Sequence, residues 1–177
     1  IAIGNNALGQ NTYTSSGSVA IGYFALGDAS TGAMNVGIGY RAGKSILTGY
    51  SNVIIGEDAG RQITTARENV IIGANAYESA NSSENFAVVV GYNAANNVDG
   101  IDNVVAIGHS ALMTMQATDG NTALGFEAGK LTVGNSNTLI GHQAGKGAAG
   151  TDENNTAVGY QALMSVAAGD QNTAIGG

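Results

Sequence analysis

His109 and His142 are the only histidines in the chain. A histidine general base or a nitrogen-ligated metal would have to use them, since the chain has no Cys to supply a thiolate. Each follows a glycine directly, in Gly108-His109 and Gly141-His142. A second suggestion of chemistry is Ala42-Gly43-Lys44-Ser45, which has the ending of a phosphate-binding loop. That loop needs another glycine five positions before Gly43, and the residue there is Ile38. Asp28, Asp99, Asp119, Asp152 and Asp170 lie among turn-forming residues, without the spacing of an EF-hand or of a calcium-binding nonapeptide. No Ser-His-Asp set emerges. The reading at this level is no catalytic, cofactor-binding or metal-ligating residue, and no enzyme.

Both histidines belong to a longer pattern. The segment "NVIIG" occurs at Asn52 and again at Asn69. Aligning every such core on its glycine gives Gly4, Gly22, Gly39, Gly56, Gly73, Gly91, Gly108, Gly125, Gly141, Gly159 and Gly176, in steps of 16 to 18 residues. The repeat spans residues 1–177 as one domain of about ten coils. Relative to the glycine, position −1 is aliphatic throughout, from Ile3 to Ile175. Position −3 is Ile1, then Val from Val19 to Val105, then Thr at Thr122, Thr138, Thr156 and Thr173. Position +3 is Ala, as in Ala25, Ala42, Ala59 and Ala128. Position −4 is usually Asn, as in Asn35, Asn52, Asn69, Asn121, Asn137, Asn155 and Asn172.

A period near 17 with β-branched residues at alternate positions predicts an all-β parallel solenoid, one coil per repeat. The glycine marks a corner that needs positive φ or close backbone approach. The Ala column fits a crowded wall. The Asn column reads either as a ladder of stacked amides or as a tolerant turn residue, and the two are compatible.

Position −2 is also apolar or Gly, from Ala2 through Ile54, Ile71 and Leu139 to Ala174. The strand is therefore apolar on both faces, and only one can fill the interior of a thin coil. The expectation is that the −2 face is covered by another copy of the chain, with a wider coil as the alternative. The histidines share column +1 with Tyr23, Tyr40, Tyr92, Phe126 and Tyr160. Two coils separate them, roughly 10 Å at about 4.8 Å per coil, too far for one metal ion. That aromatic column suits coil-to-coil packing or stacking on a sugar. Where +4 is Gly, +5 is basic: Lys44, Arg61, Lys130 and Lys146. A different corner that aims the base at solvent is expected there, with a basic stripe for an anion as the functional alternative.

Composition narrows the classes further. Charged residues are 11% of the chain, with 28 Gly, no Pro and no Trp. A net charge of −7 disfavours nucleic acid and anionic membrane as partners. No apolar run is long enough to span a membrane as a helix, no leader is visible, and disulfides are excluded.

"NTALGFEAGK", "NTLIGHQAGKG" and "NTAVGYQAL" resemble the repeats of phage tail fibres and other long extracellular fibres. "SVAIGYFALG" is similar to the head repeat of YadA-type trimeric autotransporter adhesins. The resemblance implies a left-handed β-roll, a homotrimer around a shared axis, and a shaft or adhesive head outside a cell or on a virion. Attachment to a host-surface glycan or another surface is the implied role, and no catalytic residue comes with it. "IGYRAG" and "IGEDAG" also fit the hexapeptide pattern of left-handed β-helix acyltransferases, but only one such hexad occurs per coil, where that family has about three. An ice-binding or other flat-surface solenoid is the third reading; it needs an exposed Thr array, and the −3 Thr column is expected to face inward. The chain starts and stops within coils, without polar caps, which reads as a segment of a longer fibre.

Overall fold

The computed structural model describes residues 1–9, 16–79, 85–99, 102–116, 119–132, 134–147, 153–165 and 169–177. Its main feature is one parallel sheet of eleven short strands. They are β1 (Ala2–Ile3), β2 (Val19–Ile21), β3 (Val36–Ile38), β4 (Val53–Ile55), β5 (Val70–Ile72), β6 (Val88–Val90), β8 (Val105–Ile107), β10 (Thr122–Leu124), β11 (Thr138–Ile140), β12 (Thr156–Val158) and β13 (Thr173–Ile175). Each pairs with its sequence-repeat neighbour in strict register, Val53 on Val70 and Ile55 on Ile72, for example. A second sheet pairs β7 (Asn97–Asp99) with β9 (Thr114–Gln116). No helix occurs among the described residues. The chain is a parallel β-solenoid with about 17 residues per coil, and its eleven strand levels make a rod about 48 Å long.

Three-residue strands need tight corners, and the corners explain the glycine column. The repeat glycines have φ between +126° and +141°. A Cβ on Gly73 would lie 2.5 Å from the carbonyl oxygen of Gly91 in the next coil. Both the dihedral and the stacking distance exclude a side chain. Positions +2, +4 and −5 are also left-handed, mostly without glycine, as at Arg41 (φ 53°), Leu26 (φ 51°) and Ser51 (φ 58°). Each such residue costs some strain. The cost is offset because its N–H stays in the coil-to-coil ladder: Arg41 donates to Tyr23 at 2.8 Å, Leu26 to Ala42 at 2.9 Å, Ser51 to Ala33 at 3.0 Å.

Strands β2 to β6, β8, β11 and β12 bury their middle residue and leave both neighbours half-exposed. Ala20, Ile54, Ile71, Val89, Ala106 and Ala123 are completely buried within one chain. The expectation that the −2 face needs a second copy is thereby corrected. The single inward residue of each strand meets the Ala column, +4 and +7 across the coil, in one continuous core. The outward face is the −3 and −1 pair.

The inward positions compensate one another in volume. A Cβ on Gly37 would meet Leu26 Cγ at 2.7 Å, and one on Gly43 would meet Ile54 Cδ1 at 2.8 Å and Ile46 Cδ1 at 3.2 Å. At these sites a large +4 residue, Leu26, pairs with a small −2 residue, Gly37, and a glycine at +4, Gly43, admits a large one, Ile54. The expected difference in corner geometry is corrected too: φ at +4 is 57° for Gly43 and 53° for Gly60, against 55° for Tyr77 and 51° for Leu26. The corners turn alike and differ in what they put inside.

The asparagines do both things foreseen for them. Asn52 Nδ2 donates to Asn35 Oδ1 at 3.0 Å and to the Ala66 carbonyl at 2.8 Å. The Asn69 N–H donates to Asn52 Oδ1 at 3.1 Å, and Asn69 Nδ2 reaches the same oxygen at 3.0 Å. The column therefore links successive coils and ties down its own turn. It lapses at Ala87 and Val104 and resumes at Asn121, whose Oδ1 accepts from the Asn137 N–H at 2.9 Å. Across that lapse an exterior ladder runs at position −6. The Asn85 N–H donates to Asp102 Oδ1 at 2.6 Å, Asp102 to Asp119 at 2.8 Å, and Asp119 to Asn135 at 2.9 Å.

Candidate interaction face

The outward side of the sheet is built from β-branched residues because they suit a pleated, half-covered surface. Its columns run Val19 to Val105 and Thr122 to Thr173 at −3, and Ile3 to Ile175 at −1. Through the middle of the rod these residues are half-exposed; Leu124 is 44% exposed. No charge stands in either column. The Thr column lies on this outward face, which corrects the expectation that it is internal. The sequence signal for in and out is variability in size: the −2 column ranges from Gly to Leu, and at Gly37 and Ile54 it does so against Leu26 and Gly43 at +4, whereas −3 and −1 stay β-branched or Leu.

The +1 column borders this face. Tyr92, His109, Phe126, His142 and Tyr160 form one continuous ring stack, with centroids 5.2, 5.2, 5.0 and 5.1 Å apart. Tyr23 and Tyr40 form a shorter stack, 5.5 Å apart and nearly parallel. Glu57 and Ala74 occupy the column between the two stacks. Sugar stacking uses an open ring face, and inside the stack those faces are taken by neighbouring rings. The packing role foreseen for this column is what the structure displays. The two histidines lie two stacking steps apart, each between aromatic rings, and are not within reach of one common ion.

The +5 bases do not form a free stripe. Lys130 and Lys146 both bind Glu127, at 2.7 and 2.6 Å, and Gln143 adds a hydrogen bond at 2.9 Å. Hydrogen bonds from Lys130, then Lys146 and Gln143, hold the Glu127 carboxyl down at about 2. Arg61 reaches Glu78 at 2.7 Å and Asp58 at 3.9 Å, and Lys44 reaches Asp28 at 3.4 Å. Asp58 also takes Arg41, which lifts that guanidinium further above its ordinary range, chiefly through their hydrogen bond. All four bases are half-buried and paired, rather than aimed at solvent. Lys44 of the phosphate-loop lookalike is among them.

Asp28 is in a turn, Asp170 is at a bend and Asp119 is in the exterior ladder. Asp99 ends β7, a strand and not a turn. Asp152 lies outside the described residues. Among the described residues no three His, Asp or Glu side chains converge as a metal site. No helix among them is long and apolar enough to cross a membrane. Comparison with protein-family models, with curated proteins and with solved structures finds no match for this chain.

Proposed function

We propose that the chain is a stiff segment of an extracellular or virion fibre. In this reading it is a homotrimer of left-handed coils that holds variable outer segments in position for attachment. The observation that carries the proposal is the uncharged β-branched face that runs the length of the rod. Left in water, it would exceed the apolar patches usual on monomers. Three rods that turn this face to a shared axis would cover it. The likeness of "NTAVGYQAL" and "SVAIGYFALG" to fibre and adhesin repeats supports the same role. The work is mechanical: stability accumulates coil by coil, through ladders that bond each level to the next. Catalysis, a cofactor, nucleic acid and membrane insertion have no part in the proposal. Beyond its own copies, the partner would be a surface glycan or another surface ligand met by the variable segments. Light scattering after size exclusion tests it, with a mass three times 17.6 kDa expected. A mass of one chain would overturn it.

One observation favours a second reading. Thr122, Thr138, Thr156 and Thr173 stack outward at the coil rise, beside Leu124, Ile140, Val158 and Ile175. A flat array of that kind suits a surface-binding solenoid, ice included. Thermal hysteresis near zero would remove this reading.

A further inference from the structure

We propose that the gap between the two ring stacks is a binding notch for an arginine side chain of a protein partner. The notch is centred on Ala74, with Glu57 one coil before it and Tyr92 one coil after it. It does not depend on the fibre reading. Inside each stack a ring meets its neighbour on the next coil at 5.0 to 5.5 Å. The rings therefore succeed one another along the rod at about the coil rise. Tyr92 is the first ring of its stack. His109 covers one side of it, and the other side looks back over Ala74, which carries only a methyl group. Tyr92 is 50% exposed. Glu57 is exposed as well, and its carboxylate has no hydrogen bond or ion pair among the described residues. The nearby acids Asp58 and Glu78 are matched by Arg41 and Arg61, so Glu57 leaves one negative charge unanswered. Two coil rises, about 9.6 Å, separate Glu57 from Tyr92. The Ala74 level between them takes one flat group, with a ring face on one side and a carboxylate on the other.

The other ring stack shows which group fits. Arg41 lies 4.6 Å over the Tyr40 ring, and its guanidinium also binds Asp58 of the next coil. Ring, guanidinium and carboxylate form one unit there. A guanidinium is flat, stacks on an aromatic face and offers a fork of N–H donors to a carboxylate, whereas an ammonium is a point charge. At Ala74 the ring and the carboxylate are in place, and the chain supplies no guanidinium of its own. Its six bases are committed elsewhere: Arg41, Lys44, Arg61, Lys130 and Lys146 in ion pairs, and Arg67 on the Tyr50 hydroxyl and over the Phe86 ring. The guanidinium therefore comes from outside, and a net charge of −7 favours a basic partner.

Acetyl-arginine-amide is titrated into the isotope-labelled chain, and the backbone amide signals of Gly73, Ala74 and Tyr92 are followed by NMR. Acetyl-lysine-amide and the neutral isostere acetyl-citrulline-amide are run beside it. Saturable shifts centred on Ala74 are expected for arginine, with millimolar affinity for a lone side chain. Lysine should bind about threefold more weakly, and citrulline should not saturate. Glu57→Gln should weaken arginine binding about three- to fivefold. Ala74→Tyr extends the ring stack into the notch with a residue this column already holds at Tyr40 and Tyr92. It should abolish binding and leave the signals of distant coils in place. Citrulline that binds as tightly as arginine, or arginine shifts that survive Ala74→Tyr, would overturn the proposal. So would the absence of saturable shifts at Ala74; if they then appear in Arg67→Gln, the occupant is Arg67 of a second copy and not an outside partner. Light scattering decides the fibre reading separately.

Discussion

Along the sheet, the inward residue passes from Gly37 to Ile54, Ala106 and Leu139, whereas the outward pair stays β-branched or Leu at nearly every level. Both faces are apolar, yet they are written by different rules. The inward residue shares a closed volume with +4 and +7, so its size can change if theirs changes in the opposite sense. The outward residue stays half-exposed, and its uniformity makes a regular surface. Variation under compensation marks the core; the uniform outward face is the one that the proposed association would cover. The sharpest test is to shrink one residue on each face. Ile71→Ala, inside, should lower the unfolding free energy by about 3 to 4 kcal/mol in urea, the cost of lost burial plus a cavity. A loss below about 1 kcal/mol would mean that the interior collapses onto the gap.

The compensation can be tested directly. Gly37→Leu forces a side chain onto Leu26 and should cost about 2 to 3 kcal/mol. Leu26→Gly alone leaves a void. The double substitution reproduces the arrangement found at Gly43 and Ile54, and should be milder than the sum of the two by roughly 1 to 3 kcal/mol. Strict additivity in a double-mutant cycle would show that the two positions do not share volume.

A next smaller effect compares two stretches of the inner Asn column. At Asn52 the amide serves both neighbouring coils, so Asn52→Ala leaves the Asn69 N–H and the Ala66 carbonyl without that partner. The expected loss is about 2 kcal/mol. At position 87 the chain itself carries Ala, and there the exterior bonds from Asn85 to Asp102 and on to Asp119 run instead. Asp102→Ala should therefore cost stability although it is on the surface, while Asp28→Ala, outside that ladder, should cost less. Equal effects in thermal melts would dismiss the exterior ladder as a stabilising element.

Much of this was legible in the sequence. The 17-residue spacing, the positive-φ glycines and the Asn column followed from residue types that have few other reasons to recur. The direction of the strands did not follow, because Val70, Ile71 and Ile72 are all apolar and hydrophobicity cannot order them. The pairing of Leu26 with Gly37, and of Gly43 with Ile54, held that information. It required comparing positions eleven residues apart that only the coil brings together. The ion pairs were also hidden: Lys130 and Lys146 look like one stripe until the coil places Glu127 between them. The outward Thr column was misplaced for the same reason as the −2 column.

The outward face should show the reverse energetics of the inward one. Val70→Thr keeps shape and β-propensity and should change the unfolding of an isolated rod by less than about 1 kcal/mol. In an assembly that buries this face, the same change buries one hydroxyl per copy in place of a methyl group and should raise the dissociation constant several-fold. Light scattering across a dilution series reads this. Unchanged association with reduced stability would invert the assignment of the two faces.

The smallest expected effect concerns Glu127 and is confined to acid. Its carboxyl is held at about 2 in the folded chain, against an ordinary 4.5, by Lys130, Lys146 and Gln143. A depressed carboxyl stabilises the fold at pH values above 4.5 and loses that contribution as the pH falls toward 2. The site is partly open to solvent, so the contribution is discounted to no more than about 1 kcal/mol. Glu127→Gln should therefore melt slightly below the parent at pH 7, and the two curves should converge by pH 2. Salt should narrow the gap at pH 7, because half-exposed pairs are screened. A gap that stays constant from pH 7 to pH 2 would assign the effect to packing of the side chain against its coil, and not to its charge.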